Sequence, residues 1–275
     1  MRFRPPVSEV SADRLEEWRR TLTEVASRSH LLPRAMVVAS VGSTMDLARE
    51  VDPGTFVVAL EQTAGRGRRG RPWFDGGGGV AATAVLEFEG EASLLPTRAG
   101  VAMATAVEPW LGGLAGLKWP NDLMVGGRKL GGVLVERSGA RVHVGVGLNV
   151  EAIDRPTELD GVATSLGELL ETPPTRLQVA CELSSTLGSA MTCSEDEIRR
   201  AWRGRDCLRG RTIRVLDGRR ARSGRVLDIE PDRHLDLSTG DGEVVRVPLA
   251  TARIDMVIDP DKGTGPVGRT DPNRR

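Results

Sequence analysis

Between residues 117 and 150 three apolar segments follow one another, LKWPNDLMV, RKLGGVLVER and RVHVGVGLNV, with only Gly-rich turns between them. Such β-branched runs bounded by glycine read as strands. This much strand in so short a stretch commits the middle of the chain to a sheet. The same content predicts strands at AMVVAS (35–40), TFVVALEQ (55–62) and VAATAVLEF (80–88). Helices fall between and around them. Leu15, Trp18, Leu22 and Val25 recur at three and four residues, which places them on one helical face. STMDLARE reads as a short helix capped by Ser43 or Thr44. The small residues of TRAGVAMATAVEPWL (97–111) let a helix pack closely on a sheet. The expected class is α+β.

After Val150 the pattern changes. ATSLGELL, RLQVACELSSTLGSAM and SEDEIRRAWRGR look helical, the last opening on a Ser cap with an acidic first turn. From Thr212 to Ile258 short strands recur at regular intervals around LDGRR, EPDRH and TGDGE, which suggests a small antiparallel barrel. The expected division is an N-terminal segment and helix over 1–30, a main domain over 31–206, the barrel over 207–258, and a disordered tail over 259–275 with almost no apolar side chains.

Charge and cysteine usage remove several function classes. The 38 basic and 38 acidic side chains cancel, so nothing argues for wholesale attraction to nucleic acid or an anionic membrane. Cys181, Cys193 and Cys207 form no C-x-x-C pair and have no His at ligand spacing, so no metal site is expected. His30, His143 and His234 are scattered and fit no nucleophilic triad. The chain shows neither a signal-peptide pattern nor a run of membrane-spanning length, and a cytoplasmic protein is expected.

Against this neutral background EQTAGRGRRGRPWF (61–74) stands out. Arg66, Arg68, Arg69 and Arg71 alternate with Gly65, Gly67 and Gly70. Glycine allows backbone N–H groups to approach an anion, and guanidinium grips phosphate or carboxylate bidentately. On charge pattern alone, a solvated basic loop, a phosphate-closing loop and a nucleic-acid patch all fit. Lys118 and Lys129 around the Asn121–Asp122 pair shift the balance toward a small ligand carrying several negative charges. Trp73 and Trp119 suit stacking on a ring or a place in the core, and Asn149 suits reading a purine edge or ending a strand. GGGG (76–79) is no P-loop, because the lysine and hydroxyl of that motif are missing.

GRGRRGRPW, KWPNDLMV, RKLGGVLVE and VGVGLNV, in this order and spacing, resemble the signature blocks of the biotin protein ligases over roughly Ser43 to Val150. The resemblance implies a mixed sheet like that of class II aminoacyl-tRNA synthetases, flanked by helices, with a small SH3-like barrel after it. It implies biotin and MgATP as substrates, biotinyl-5'-AMP as intermediate, and as acceptor a lysine on the biotin carboxyl carrier domain of an acyl-CoA or pyruvate carboxylase. Arg66 and Arg68 would contact the phosphate and biotin carboxyl, under a loop from Gly65 to Trp73. Lys129 would bridge the carboxyl and the α-phosphate. Ser43, Thr44 and Gln62 would hold the ureido ring, with Gly131 and Gly132 shaping its pocket. Trp73, Asn121 and Asn149 would surround adenine. Lys118 would assist with the phosphates and Asp122 would accept the incoming lysine's proton.

Two departures accompany the resemblance: Met45 stands where the family usually has a polar residue, and FDGGGGVAATAVLEF replaces a Ser/Pro-containing run. Too few residues precede the first strand for a DNA-binding module, so the monofunctional class, monomer or homodimer, without operator binding, is expected. A lipoate or octanoyl transferase and a non-catalytic biotin or adenylate sensor are the competing readings.

Overall fold

The computed structural model describes residues 10–88, 92–218, 220–240 and 242–258, so the expected tail, 259–275, lies outside the described residues. The chain divides into two compact units, one ending at Cys207 and the other starting at Leu208.

In the first unit a seven-stranded sheet runs in the order β1-β2-β3-β7-β6-β5-β4. The strands are β1 (Arg34–Val41), β2 (Thr55–Gln62), β3 (Gly79–Glu87), β4 (Gly116–Lys118), β5 (Asp122–Val125), β6 (Arg128–Ser138) and β7 (Arg141–Asn149). Among these seven described strands, β1 and β2 are the one pair that runs parallel. A parallel pair needs a crossover, and residues 42–54 supply one through α2 (Thr44–Leu47) and a turn of 3-10 helix at Ala48–Glu50. The expected single strand LKWPNDLMV is instead a hairpin. Pro120 has no N–H for a ladder, the chain reverses there, and Lys118 comes to lie opposite Asp122.

Strand β7 shows how its sequence builds two faces. Val142, Val144, Val146 and Leu148 are all buried. They alternate with Gly145 and Gly147, because successive side chains of a strand point to opposite sides. A Cβ on Gly131, opposite Leu148 in β6, would meet Leu148 and Met103 of α3 (Leu95–Leu111) within 2.8 Å, so that face is the helix-covered one. On the other face a Cβ on Gly145 would stand 2.7 Å from Met45 Sδ, and one on Gly147 2.5 Å from the Trp73 ring. Glycine is required there because other groups occupy the space a side chain would fill.

Helices α1 (Ala12–Ala26), α3 and α5 (Arg176–Thr192) pack on the sheet or on each other, and α6 (Glu195–Arg203) packs on α3. Caps explain their limits. Thr175 and Ser194 form capping boxes with Gln178 and Glu197. Buried Arg98 donates to Ala190 O and Cys193 O, each at 2.7 Å, and so satisfies carbonyls at the end of α5. Of the expected helix ATSLGELL, only α4 (Leu166–Leu169) forms. Among the described residues no helix is long and apolar enough to cross a membrane.

The second unit holds β8 (Thr212–Asp217), β9 (Arg220–Glu230), β10 (His234–Ser238), β11 (Val244–Pro248) and β12 (Ala252–Ile258). They form one antiparallel sheet in the order β11-β10-β9-β8-β12. Ile213, Val215, Val226, Ile229, Leu235, Leu237 and Val247 form its buried side.

Candidate active site

The glycine face of the first sheet floors a cavity of about 580 Å³, within the range of small-molecule sites. Ser43 and Thr44 enter it from the start of α2, Gln62 from the end of β2, and Lys129 and Gly132 from β6. Arg66, Arg68, Arg71 and Trp73 come from the loop between β2 and β3, Asn121 from the β4–β5 turn, and Asn149 from the end of β7.

That arginine loop is a small hairpin. Trp73 N–H donates to Gly65 O at 2.8 Å and Gly67 N–H to Arg71 O at 2.7 Å. The turn from Arg68 to Arg71 places Arg69 (φ 59°) and Gly70 (φ 70°) in the left-handed region, as a type I′ turn demands. A Cβ on Gly65 would stand 3.0 Å from both Gln62 Nε2 and Trp73 O, which accounts for the glycine.

The cations are held in different ways. Arg66 pairs with Asp46 of α2 at 2.6 Å and with Glu136 of β6 at 3.3 Å. The hydrogen bonds to Asp46 and Glu136 raise its pKa further above the usual arginine range. Arg68 donates to Asn121 Oδ1 at 3.3 Å, and no carboxylate of the described residues ion-pairs with it. Burial lowers its pKa, with Arg69 and Arg71 adding to the effect against Asp122. A half-buried guanidinium without a counter-ion is poised for an anion. Lys129 Nζ lies 2.5 Å from Asp122 Oδ1 and 5.5 Å from the centroid of Trp73. Its backbone is fixed on both sides, accepting from Thr164 N–H and donating to Val162 O.

The polar end is a relay. Thr44 N–H and Oγ1–H both donate to Gln62 Oε1, at 2.8 and 3.0 Å, and Thr83 donates to Thr44 Oγ1 at 2.9 Å. This arrangement turns the Gln62 carbonyl inward and leaves its NH₂ to face Gly65 and the cavity. Asn121 Nδ2 donates to Val133 O at 3.0 Å, so this residue orients Arg68.

Several expected residues stand differently. Asn149 Nδ2 donates to Thr164 O at 2.9 Å and to Lys129 O at 3.4 Å, which engages its amide hydrogens and leaves no paired amide edge for a purine. Lys118 does not line the cavity, and Gly131 faces the helices. Trp119 is fully buried core. Asp122 is not among the lining residues and meets the site at Lys129 Nζ, 2.5 Å away. The apolar wall of Ile153, Leu159, Val162 and Ala163 escaped sequence reasoning, because an irregular segment has no periodicity to betray it. Asp75 escaped it as well. Among the described residues no cluster of three His, Cys, Asp or Glu could hold a metal ion.

Residues 38–151 match the family model described as Biotin/lipoate A/B protein ligase family. The chain is 33% identical over 268 residues to the biotin--[acetyl-CoA-carboxylase] ligase of Mycobacterium tuberculosis, covering 89% of this chain and 94% of the relative. Its fold is similar to that of the Aquifex aeolicus biotin protein ligase in complex with biotin and ATP, with a TM-score of 0.70, 28% identity, and coverage of 81% of this chain and 98% of that one. The Leishmania major biotin protein ligase in complex with biotinyl-5-AMP superposes at a TM-score of 0.57 with 25% identity, over 78% of this chain and 98% of that one. With the glycine-floored cavity, the arginine hairpin and identity along nearly the whole of such a relative in view, the chain belongs to the biotin protein ligase family.

Proposed function

We infer that this protein is an ATP-dependent biotin protein ligase whose acceptor is the biotin carrier of a carboxylase. The observation that carries the reading is the convergence of Arg66, Arg68 and Lys129 on one cavity that also holds the Thr44–Gln62 relay. The reaction brings anions together: a biotin carboxylate oxygen attacks the α-phosphorus of MgATP, and the bond to pyrophosphate breaks. Cations must screen that approach and take up the charge spread over the phosphoryl oxygens. Lys129 lies between carboxylate and α-phosphate, Arg68 meets the phosphate from the hairpin, and Arg66 is oriented by its two carboxylates. Lys129 exchanges its pairing with Asp122 for the ligand oxygens. Magnesium arrives as part of the MgATP substrate.

In the second step a carrier lysine amine attacks the acyl carbon of biotinyl-5'-AMP, an amide forms and AMP leaves. Asp122, 2.5 Å from Lys129 in the resting pair, takes the proton of that amine. Ser43, Thr44 and Gln62 receive the ureido ring, while Trp73 and Asn121 border the nucleotide. Asn149 acts indirectly, by pinning the 162–164 segment against Lys129.

Intact mass of a biotin carrier domain after incubation with the protein, biotin and MgATP tests this reading. A gain of one biotin that requires ATP is expected. A gain of lipoyl or octanoyl from those substrates instead, or tight retention of biotin without transfer, would replace it.

A further inference from the structure

Asp75 has no part in the chemistry above, yet it occupies a costly position. It follows Trp73 and Phe74 out of the arginine hairpin, lines the cavity, and is 5% exposed. Its Oδ2 accepts the backbone N–H of Gln62 at 2.9 Å. Its Oδ1 is buried and completes no hydrogen bond, the nearby Gly77 N–H approaching the carboxylate without closing one, and an ionised oxygen tolerates this only at the expense of its lost hydration. Among the described residues no ion pair offsets this. The guanidinium of Arg176 donates to Leu60 O and, at 2.7 Å, to Gly79 O, and it reaches Asp75 only as a more distant charge.

The direction of the orphan oxygen is defined by the sheet. A Cβ on Gly79 would stand 3.0 Å from Asp75 Oδ1. Gly79 lies two residues from Ala81, which is paired with Gly147, the glycine whose Cβ would strike Trp73. Asp75 Oδ1 is therefore on the cavity side of the sheet, between Gln62 and the Gly79–Asn149 pair. A buried acceptor aimed into a ligand cavity has its missing donor on the ligand.

We propose that Asp75 Oδ1 accepts an N–H group on the edge of a bound heterocycle and so selects which ligands this cavity admits. The inference rests on the ligase reading, in which both substrates carry such an edge: the ureido N–H of biotin and the exocyclic amine of adenine. A ring presenting a carbonyl at that place is rejected, because two acceptors then face one another.

Asp75→Asn tests this without changing shape. Its amide oxygen remains on Gln62 N–H, so its NH₂ turns to the cavity and an acceptor becomes a donor. Biotin binding by titration calorimetry and KM in pyrophosphate release, with ATP and with purine riboside triphosphate, which lacks the 6-amino group, separate the two sources. If Asp75 reads the ureido ring, the biotin Kd rises roughly tenfold or more in D75N while the ratio of the two nucleotide KM values stays put. If it reads adenine, the wild-type protein prefers ATP over the riboside analogue by roughly tenfold and D75N loses that preference. Unchanged Kd and unchanged KM ratio in D75N overturn the inference and leave the ligase reading intact. Should D75N not fold, Asp75→Ala, which removes the acceptor outright, is put through the same measurements, and an unchanged Kd with an unchanged KM ratio overturns the inference there too. A wild-type protein that binds no biotin overturns the ligase reading and this inference together.

Discussion

Asp75→Asn should make the first unit more stable, and the gain should depend on pH. Burial pushes the Asp75 carboxyl up to about 6 from its ordinary 3.8, against the Gln62 N–H, the charge of Arg176 and the nearby Gly77 N–H, which pull it back. A difference of about two units corresponds to about 3 kcal/mol between the folded and unfolded chain. The folded value is the higher one, so the charge works against folding. That penalty is fully present above pH 6 and is relieved as the pH falls toward the unfolded value. Linkage gives about 3 kcal/mol at pH 8 and about 1 kcal/mol at pH 4.5. Asn keeps the bond to Gln62 and removes the charge. All of the 5 tryptophans, at positions 18, 73, 110, 119 and 202, precede Leu208, so denaturant unfolding followed by tryptophan fluorescence reports on the first unit alone. A D75N midpoint no higher than wild type at pH 8, or a gain of equal size at both pH values, would refute the argument. Together with weakened ligand binding, the expected outcome identifies Asp75 as a residue that trades stability for recognition.

Four further outcomes are expected. Lys129→Ala abolishes carrier labelling, by roughly a hundredfold or more, because its charge is needed at the phosphoryl group; intact mass reads the loss, and an unchanged far-UV circular dichroism spectrum shows the fold kept. Asn121→Ala releases Arg68 from its 3.3 Å bond and slows adenylation about tenfold by loosening its aim, measured as pyrophosphate release. Gly147→Ala brings a methyl to 2.5 Å from the Trp73 ring, so the ring must leave; tryptophan emission shifts and the KM for ATP rises, whereas an unaltered spectrum would place Trp73 elsewhere. Arg98→Met removes both 2.7 Å bonds to the end of α5 and lowers first-unit stability by about 2–3 kcal/mol, visible in the same unfolding assay.

Elements with a strong local signature were legible in advance. TFVVALEQ is β2 residue for residue, and STMDLARE does begin a helix with Ser43 as its cap. β-branched content and side-chain capping are properties of a few consecutive residues, so they survive whatever the rest of the chain does. LKWPNDLMV misled because its apolar residues fit one strand while Pro120 turns the chain back. ATSLGELL misled because its first residues, Ala163 and Thr164, pair with Lys129 of β6 instead of joining the helix, which spans only Leu166–Leu169. Within the site, the glycines of VGVGLN and GRGRRGRPW were visible, but the reason for them was not: a glycine read in sequence does not tell whether Met45, Trp73 or a turn needs the room.

The order of residues by itself determined the α+β class, the run of strands, and the set of cations and glycines from which this family is recognised, since composition, periodicity and motif spacing are all local. Only the tertiary structure decided which of those cations share a cavity. Register across β4, β5 and β6 sets Lys129 against Asp122 while Lys118 falls outside the lining. Glu136, 70 positions from Arg66, meets it through space. Burial, too, is a property of the assembled fold: one more aspartate in FDGGGG becomes a carboxylate with an unpartnered oxygen only when the end of β2, the start of β3 and Arg176 close around it.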